Sequence, residues 1–171
     1  VRWMKEKLEK AFEIKTEIVG HDDQEYKAEG KVLNRLIKAE AWGWSLEADP
    51  RHAELLIEDL KVEKGFSTPG VEERDEGDET PLDGSSGTMY RSMVARANYL
   101  ATDRPDIGFA VKELCKTMSK PTAASWAKLI RVVKYLKNNP CMILRFEFQK
   151  PVHELDVFSH ANWAGCKLQE G

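Results

Sequence analysis

The sequence predicts an α+β protein in four parts: a small α/β unit, an acidic linker, a three-helix unit and a closing β-hairpin. Three observations predict it. Residues 90–137 place apolar side chains at helical spacing, residues 13–18 and 142–148 alternate with period two, and residues 72–87 hold few large apolar side chains. With 42% hydrophobic and 32% charged residues over 171 positions, the chain can bury one core or two small ones. Nothing approaches 18 consecutive apolar residues, so no membrane-spanning helix is expected.

In chain order, residues 2–12 form an amphipathic helix with Trp3, Leu8, Ala11 and Phe12 on one side. Residues 13–18 alternate and read as a strand; residues 20–30 are a polar connection. Residues 31–40 and 43–46 form two strands of a hairpin, on which Trp42 and Trp44 suit packing better than base stacking. Asp49-Pro50 opens a helix to about Leu60, with Asp49 as its cap and Pro50 in its first turn. Residues 72–87 are mostly Glu, Asp, Gly, Ser and Pro, with few large apolar residues, and cannot bury enough surface to offset their ordering entropy, which describes a flexible linker. An acidic segment that mimics phosphate and covers the basic helices is the other reading of that stretch. Met89, Met93, Ala97 and Leu100 mark the next helix, and Arg104-Pro105 restarts the pattern as Ile107, Val111, Leu114 and Met118. Thr122 caps a third helix whose apolar arc is Trp126, Leu129, Ile130, Val133 and Leu136. Residues 142–148 and 155–158 then form two strands of a hairpin.

The net charge of −3 conceals an asymmetry. Residues 40–87 hold 4 basic and 14 acidic side chains, whereas residues 88–150 hold 12 basic and 4 acidic. A local excess of that size is what a phosphate-facing module shows, and it is also what solvated helix surfaces show. Lys128, Arg131, Lys134 and Lys137 fall away from the apolar arc of the last helix, and Lys112, Lys116 and Lys120 precede them.

Other constellations carry less. Cys115, Cys141 and Cys166 are odd in number and lack C-x-x-C spacing, so a disulfide framework is not expected and an intracellular setting, cytoplasmic or nuclear, fits. His153, His160 and Cys166 match no common zinc spacing. Gly84-Ser85-Ser86-Gly87 has no lysine after it and no strand before it, so it is not a phosphate loop. Asp22-Asp23 is the only Asp-Asp pair and lies in a polar loop after Gly20-His21. The amino terminus, Val1-Arg2-Trp3-Met4-Lys5, has no starting methionine and no apolar signal core, and begins inside a helical pattern, as expected of a fragment.

Several motifs in order carry a resemblance: Tyr90-Arg91-Ser92, Tyr99-Leu100, Arg104-Pro105-Asp106-Ile107, Phe109-Ala110-Val111, Pro121-Thr122, Trp126 and Tyr135-Leu136-Lys137. With Leu33-Asn34-Arg35 and the run 47–54 upstream, they resemble the Pol polyprotein of copia-type LTR retrotransposons, from late reverse transcriptase into ribonuclease H. The resemblance implies a palm-like segment at 1–62, an acidic linker at 63–88, a helical thumb or connection at 89–138 and a truncated ribonuclease H-like start at 139–171. It implies that the catalytic Tyr-x-Asp-Asp turn would lie before Val1, where two-metal phosphoryl chemistry belongs. Ser159-His160-Ala161-Asn162-Trp163-Ala164-Gly165 is similar to the family's Ser-Asp-Ala-Asp-Trp-Ala-Gly block, with His160 and Asn162 in place of its aspartates. An imidazole cannot bridge two magnesium ions as a carboxylate does. The expectation is a fragment without catalytic residues, cofactor or bound metal, magnesium belonging to an intact polyprotein alone. Its partners would be the rest of such a polyprotein and an RNA–DNA hybrid or duplex, held by Lys112, Lys116, Lys120, Lys128, Arg131, Lys134 and Lys137 without sequence reading. The rival expectation is a host-retained helical protein-interaction module, with the acidic linker as its contact.

Overall fold

The helical spacing of residues 89–136 folds as three packed helices, and one helix from upstream joins them. The computed structural model describes residues 1–70, 77–151 and 153–159. Its elements are α1 (Arg2–Ala11), β1 (Glu29–Val32), β2 (Arg35–Glu40), β3 (Gly43–Glu47), α2 (Arg51–Asp59), α3 (Gly84–Ala101), α4 (Pro105–Lys116), α5 (Ala123–Asn138) and β4 (Ile143–Glu147). Five helices and a four-stranded antiparallel sheet make the protein α+β.

Tyr90, Met93, Val94, Ala97 and Leu100 of α3 meet Ile107, Val111 and Leu114 of α4 and Leu129, Val132, Val133 and Leu136 of α5 in one core. Ala53 and Leu56 of α2 complete it, so apolar residues from both sides of the acidic stretch share an interior. Met89, expected inside, is exposed, and Tyr90 takes its place. The stripe 90, 93, 97, 100 keeps helical period equally well, and the Tyr90 ring reaches polar partners across the core. Helix α3 begins at Gly84, inside the stretch expected to be linker. Asp83 extends it by accepting from the Ser86 amide at 2.6 Å, an N-cap that satisfies a donor the helix leaves open. The backbone just before it also docks: Asp78 O and Thr80 O accept from the amides of Ala124 and Ala123 at the start of α5, at 2.8 and 2.9 Å.

The strands depart from the expected pattern in three places. Residues 13–18 form no strand; a lone bridge joins Val19 to Lys27. Alternation makes an extended chain, but a strand needs an edge to pair with, and this segment finds only that one. The single strand expected at 31–40 is a hairpin, β1–β2, turning at Leu33 and Asn34 with φ of 50° and 64°. That is the geometry of a two-residue type I′ turn, and Leu33 gives no sequence signal for it. Finally, β4 does not pair with residues 155–158, which form no strand; it pairs with β3. Edge β3 already presents the matching alternation, with Trp44 opposite Phe146 and Leu46 opposite Leu144. Gly43 permits the approach: a Cβ there would lie 2.1 Å from the Phe146 carbonyl oxygen. Trp42 packs beneath Arg145, whose Cζ lies 5.3 Å from the ring centre.

Candidate nucleic-acid interface

Helix α5 organises the basic surface. Thr122 and Ser125 form a capping box at its start, which fixes where the helix enters and so which side its cations face. Leu129, Val132, Val133 and Leu136 turn inward, leaving Ala127, Lys128, Arg131 and Lys134 on another side. Residues 62–68 cross that side. Val62 is buried, and its carbonyl accepts from Lys137 Nζ at 2.6 Å. Gly65 sits against Asn138, and the Phe66 amide donates to Lys134 O at 3.1 Å. The Phe66 ring lies on two cations, with Arg131 Cζ 4.8 Å and Lys134 Nζ 4.9 Å from its centre. Arg131 also donates to Thr68 Oγ1 at 2.8 Å, while its Nε is buried and has no hydrogen-bond partner. Phe66, Ala127, Lys128, Ile130, Arg131 and Lys134 line a cleft of about 350 Å³.

The seven basic residues singled out in the sequence therefore divide by surroundings. Lys112, Lys120 and Lys128 are exposed. Lys116 is exposed too and pairs with Glu113 at 2.8 Å. Arg131 and Lys134 are half-buried beside Phe66. Lys137 ties the 62–68 crossing to the end of α5. Phe66 is not among the site residues the sequence predicts, although it is the only aromatic side chain between Leu60 and Tyr90, and an isolated ring in polar sequence is the available signal.

The motif residues divide between core and surface: Tyr90, Leu100, Arg104, Ile107, Val111 and Leu136 are buried, whereas Arg91, Tyr99 and Phe109 are exposed. Tyr90 Oη donates to Leu114 O at 3.0 Å and lies 2.8 Å from Thr117 Oγ1, bracing the end of α4. Burial pushes the Tyr90 phenol up. Arg104 is 1% exposed. It grips Asp106 with bonds as short as 2.7 Å and donates to Asn139 O at 2.9 Å, joining the start of α4 to the end of α5. Burial pushes the Asp106 carboxyl up, but Arg104 and a hydrogen bond from Tyr135 override it and leave it below the usual carboxylate range. Arg35 pairs with Asp103 at 2.6 Å and lies over Tyr99, tying the sheet to the α3–α4 turn. Asp49 accepts from the Arg51 amide at 3.1 Å and from its guanidinium at 2.7 Å, which holds its carboxyl below the usual range.

Among the described residues no group of three His, Cys, Asp or Glu side chains is placed to hold an ion. Asp23 is occupied by Arg2. The segment 84–87 is the first turn of α3, capped by the Asp83 carboxylate where an anion would otherwise sit. His153 is exposed, and His160, Asn162 and Cys166 lie outside the described residues. No described helix is long and apolar enough to cross a membrane.

The chain is homologous to retrotransposon Pol polyproteins, as the motif order implies. It is 38% identical over 78 residues, 46% of the chain, to the retrovirus-related Pol polyprotein from transposon RE2 of Arabidopsis thaliana. A protein of the same description from transposon RE1 is 38% identical over 80 residues, and an uncharacterized mitochondrial protein of Arabidopsis thaliana is 35% identical over 77. The matched segment spans 32% of the mitochondrial protein and 5% of each polyprotein. No family model matches the chain. No solved structure matches it either.

Proposed function

We propose that the chain is a reverse-transcriptase-derived segment, its helical unit a thumb or connection that holds the backbone of a primer–template without catalysing its extension. The observation that carries this is the exposed set Lys112, Lys120 and Lys128 on a helical unit that carries the motifs shared with Pol. Lys112 on α4, Lys128 on α5 and Lys120 in the turn between them would meet phosphates and release counterions, which gives affinity with steep salt dependence and no sequence reading. No Tyr-x-Asp-Asp turn occurs in the 171 residues, so the reading assigns them no phosphoryl transfer. His160 and Asn162 likewise give it no nuclease.

The test is fluorescence anisotropy with a labelled RNA–DNA hybrid across a salt series. Replacing Lys112, Lys120 and Lys128 together by glutamine lowers affinity for every sequence and flattens the log–log salt slope by about 0.9 for each phosphate no longer neutralised. Arg131, Lys134 and Lys137 are poor choices here, because they also hold the 62–68 crossing. An unchanged slope sinks the reading. It would favour a protein-interaction module, for which the specific observation is α1: Trp3, Met4 and Phe12 are exposed, and the helix buries no residue.

A further inference from the structure

Resting on the backbone-binding reading, we propose that the cleft between Phe66 and α5 is a subsite for one unpaired nucleotide of single-stranded RNA or DNA. Its volume, about 350 Å³, lies at the lower end of the range for small-ligand sites. Its walls are of two kinds. Phe66, Ala127 and Ile130 are apolar, and Lys128, Arg131 and Lys134 bring three cations to the same opening. An apolar ligand would leave Arg131 and Lys134 unanswered, and an acidic peptide would leave the ring and the Ile130 floor unfilled. A nucleotide supplies a flat apolar base and an anionic phosphate at one spacing.

Two further observations point to a ligand. Neither Arg131 nor Lys134 has a carboxylate partner among the described residues; both lie on the Phe66 ring, and Arg131 Nε is buried without an acceptor. A buried donor left open costs stability, and a site that binds an anion is where such a donor is retained. Phe66 itself is 40% exposed, although a large aromatic ring with two cations against it would be expected to bury further if packing were its whole task. A duplex cannot use this cleft, because both faces of its stacked bases are covered. An unpaired base can, since stacking on an aromatic ring is tolerant of sequence. The subsite therefore distinguishes a single-stranded end from the paired region that the outer lysines hold.

The full 171-residue chain is titrated against a short strand carrying 2-aminopurine and against the same base paired inside a duplex. Quenching is expected with the strand and absent with the duplex. Phe66→Leu should abolish the quenching and weaken strand binding about tenfold, with duplex affinity unchanged, while Phe66→Tyr should keep both. Ala127→Leu fills the cleft with Phe66 itself unchanged and should also abolish quenching, which guards against misfolding of the first variant. Full quenching by a folded Phe66→Leu or Ala127→Leu chain overturns the proposal, as does displacement of the strand by polyglutamate as readily as by unlabelled strand. Salt-dependent binding of the hybrid without quenching of the strand removes the subsite alone. Binding of neither nucleic acid removes the thumb reading and the subsite with it.

Discussion

Removing the Asp106 carboxylate should be among the most damaging single changes in the helical unit. Arg104 is effectively sealed, its side chain 2% exposed, and Asp106 answers its charge with bonds at 3.0 and 2.7 Å. Asp106→Ala leaves a guanidinium in the interior without its carboxylate, with Asn139 O and the Tyr135 hydroxyl beside it. Breaking a buried pair in this way costs about 3–5 kcal/mol, because the surviving charge stays desolvated. At about 2–4 °C per kcal/mol for a chain of this size, the melting midpoint falls on the order of 10 °C. Replacing both partners by apolar residues, Arg104→Met with Asp106→Leu, should cost less, since no charge is then left buried, although Asn139 O loses its donor and the Tyr135 hydroxyl its acceptor. Circular dichroism in a urea series, with the midpoint compared at constant slope, reads both variants. The pair also sets a pH dependence. The folded carboxyl sits below its ordinary value of 3.8, so its contribution is present above that pH and is lost as pH falls through the lower folded value. Asp106→Ala should therefore flatten the acid limb of stability. A loss under about 1 kcal/mol would mean that Arg104 reaches water, and the brace between α4 and α5 would fall with it.

Three further outcomes can be checked on the same chain. Lys137→Met removes the donor to Val62 O, should cost about 1–2 kcal/mol and should leave the hybrid salt slope unaltered, which separates a scaffold lysine from a phosphate lysine in anisotropy. Gly43→Ala drives a methyl into the Phe146 carbonyl and should detach β4, seen as faster amide exchange at residues 143–147 while the core amides of α3–α5 keep their protection. Thr122→Ala breaks the capping box and should lower the urea midpoint by about 1 kcal/mol, with Thr122→Ser recovering most of it.

The helices are legible because their signal is local. A stripe such as Ile107, Val111, Leu114 states its own period, and Thr122 before an apolar arc states its own cap. The sheet is legible only as a tendency to extend. Residues 13–18 and 155–158 carry the same alternation as β4, yet only β4 meets a vacant edge, and that edge lies far away in sequence. The β1–β2 turn is hidden because Leu33, a poor candidate for positive φ, occupies its first position. The charge count locates the basic half but cannot sort its members. Whether a cation faces phosphate or an interior carbonyl depends on what crosses it, and Val62 and Phe66 belong to a different part of the chain. Arg104 stands out as a motif residue, but its burial depends on Asn139 arriving at the end of α5.

The pairing of β4 with β3 has a consequence for how the chain is made. The first three strands leave the ribosome roughly a hundred residues before their fourth neighbour. At synthesis rates of about 5–20 residues per second, β3 offers an unpaired backbone edge to its surroundings for several seconds. Edges of that kind recruit other chains, and Trp44 and Leu46 make this one apolar as well as open. The helices between the two strands can fold meanwhile, since their contacts are local, so β4 returns to a sheet that has waited for it. A nascent chain stalled or cut before Ile143 would keep its folded helices and present β3, rather than β4, as the outer edge of its sheet.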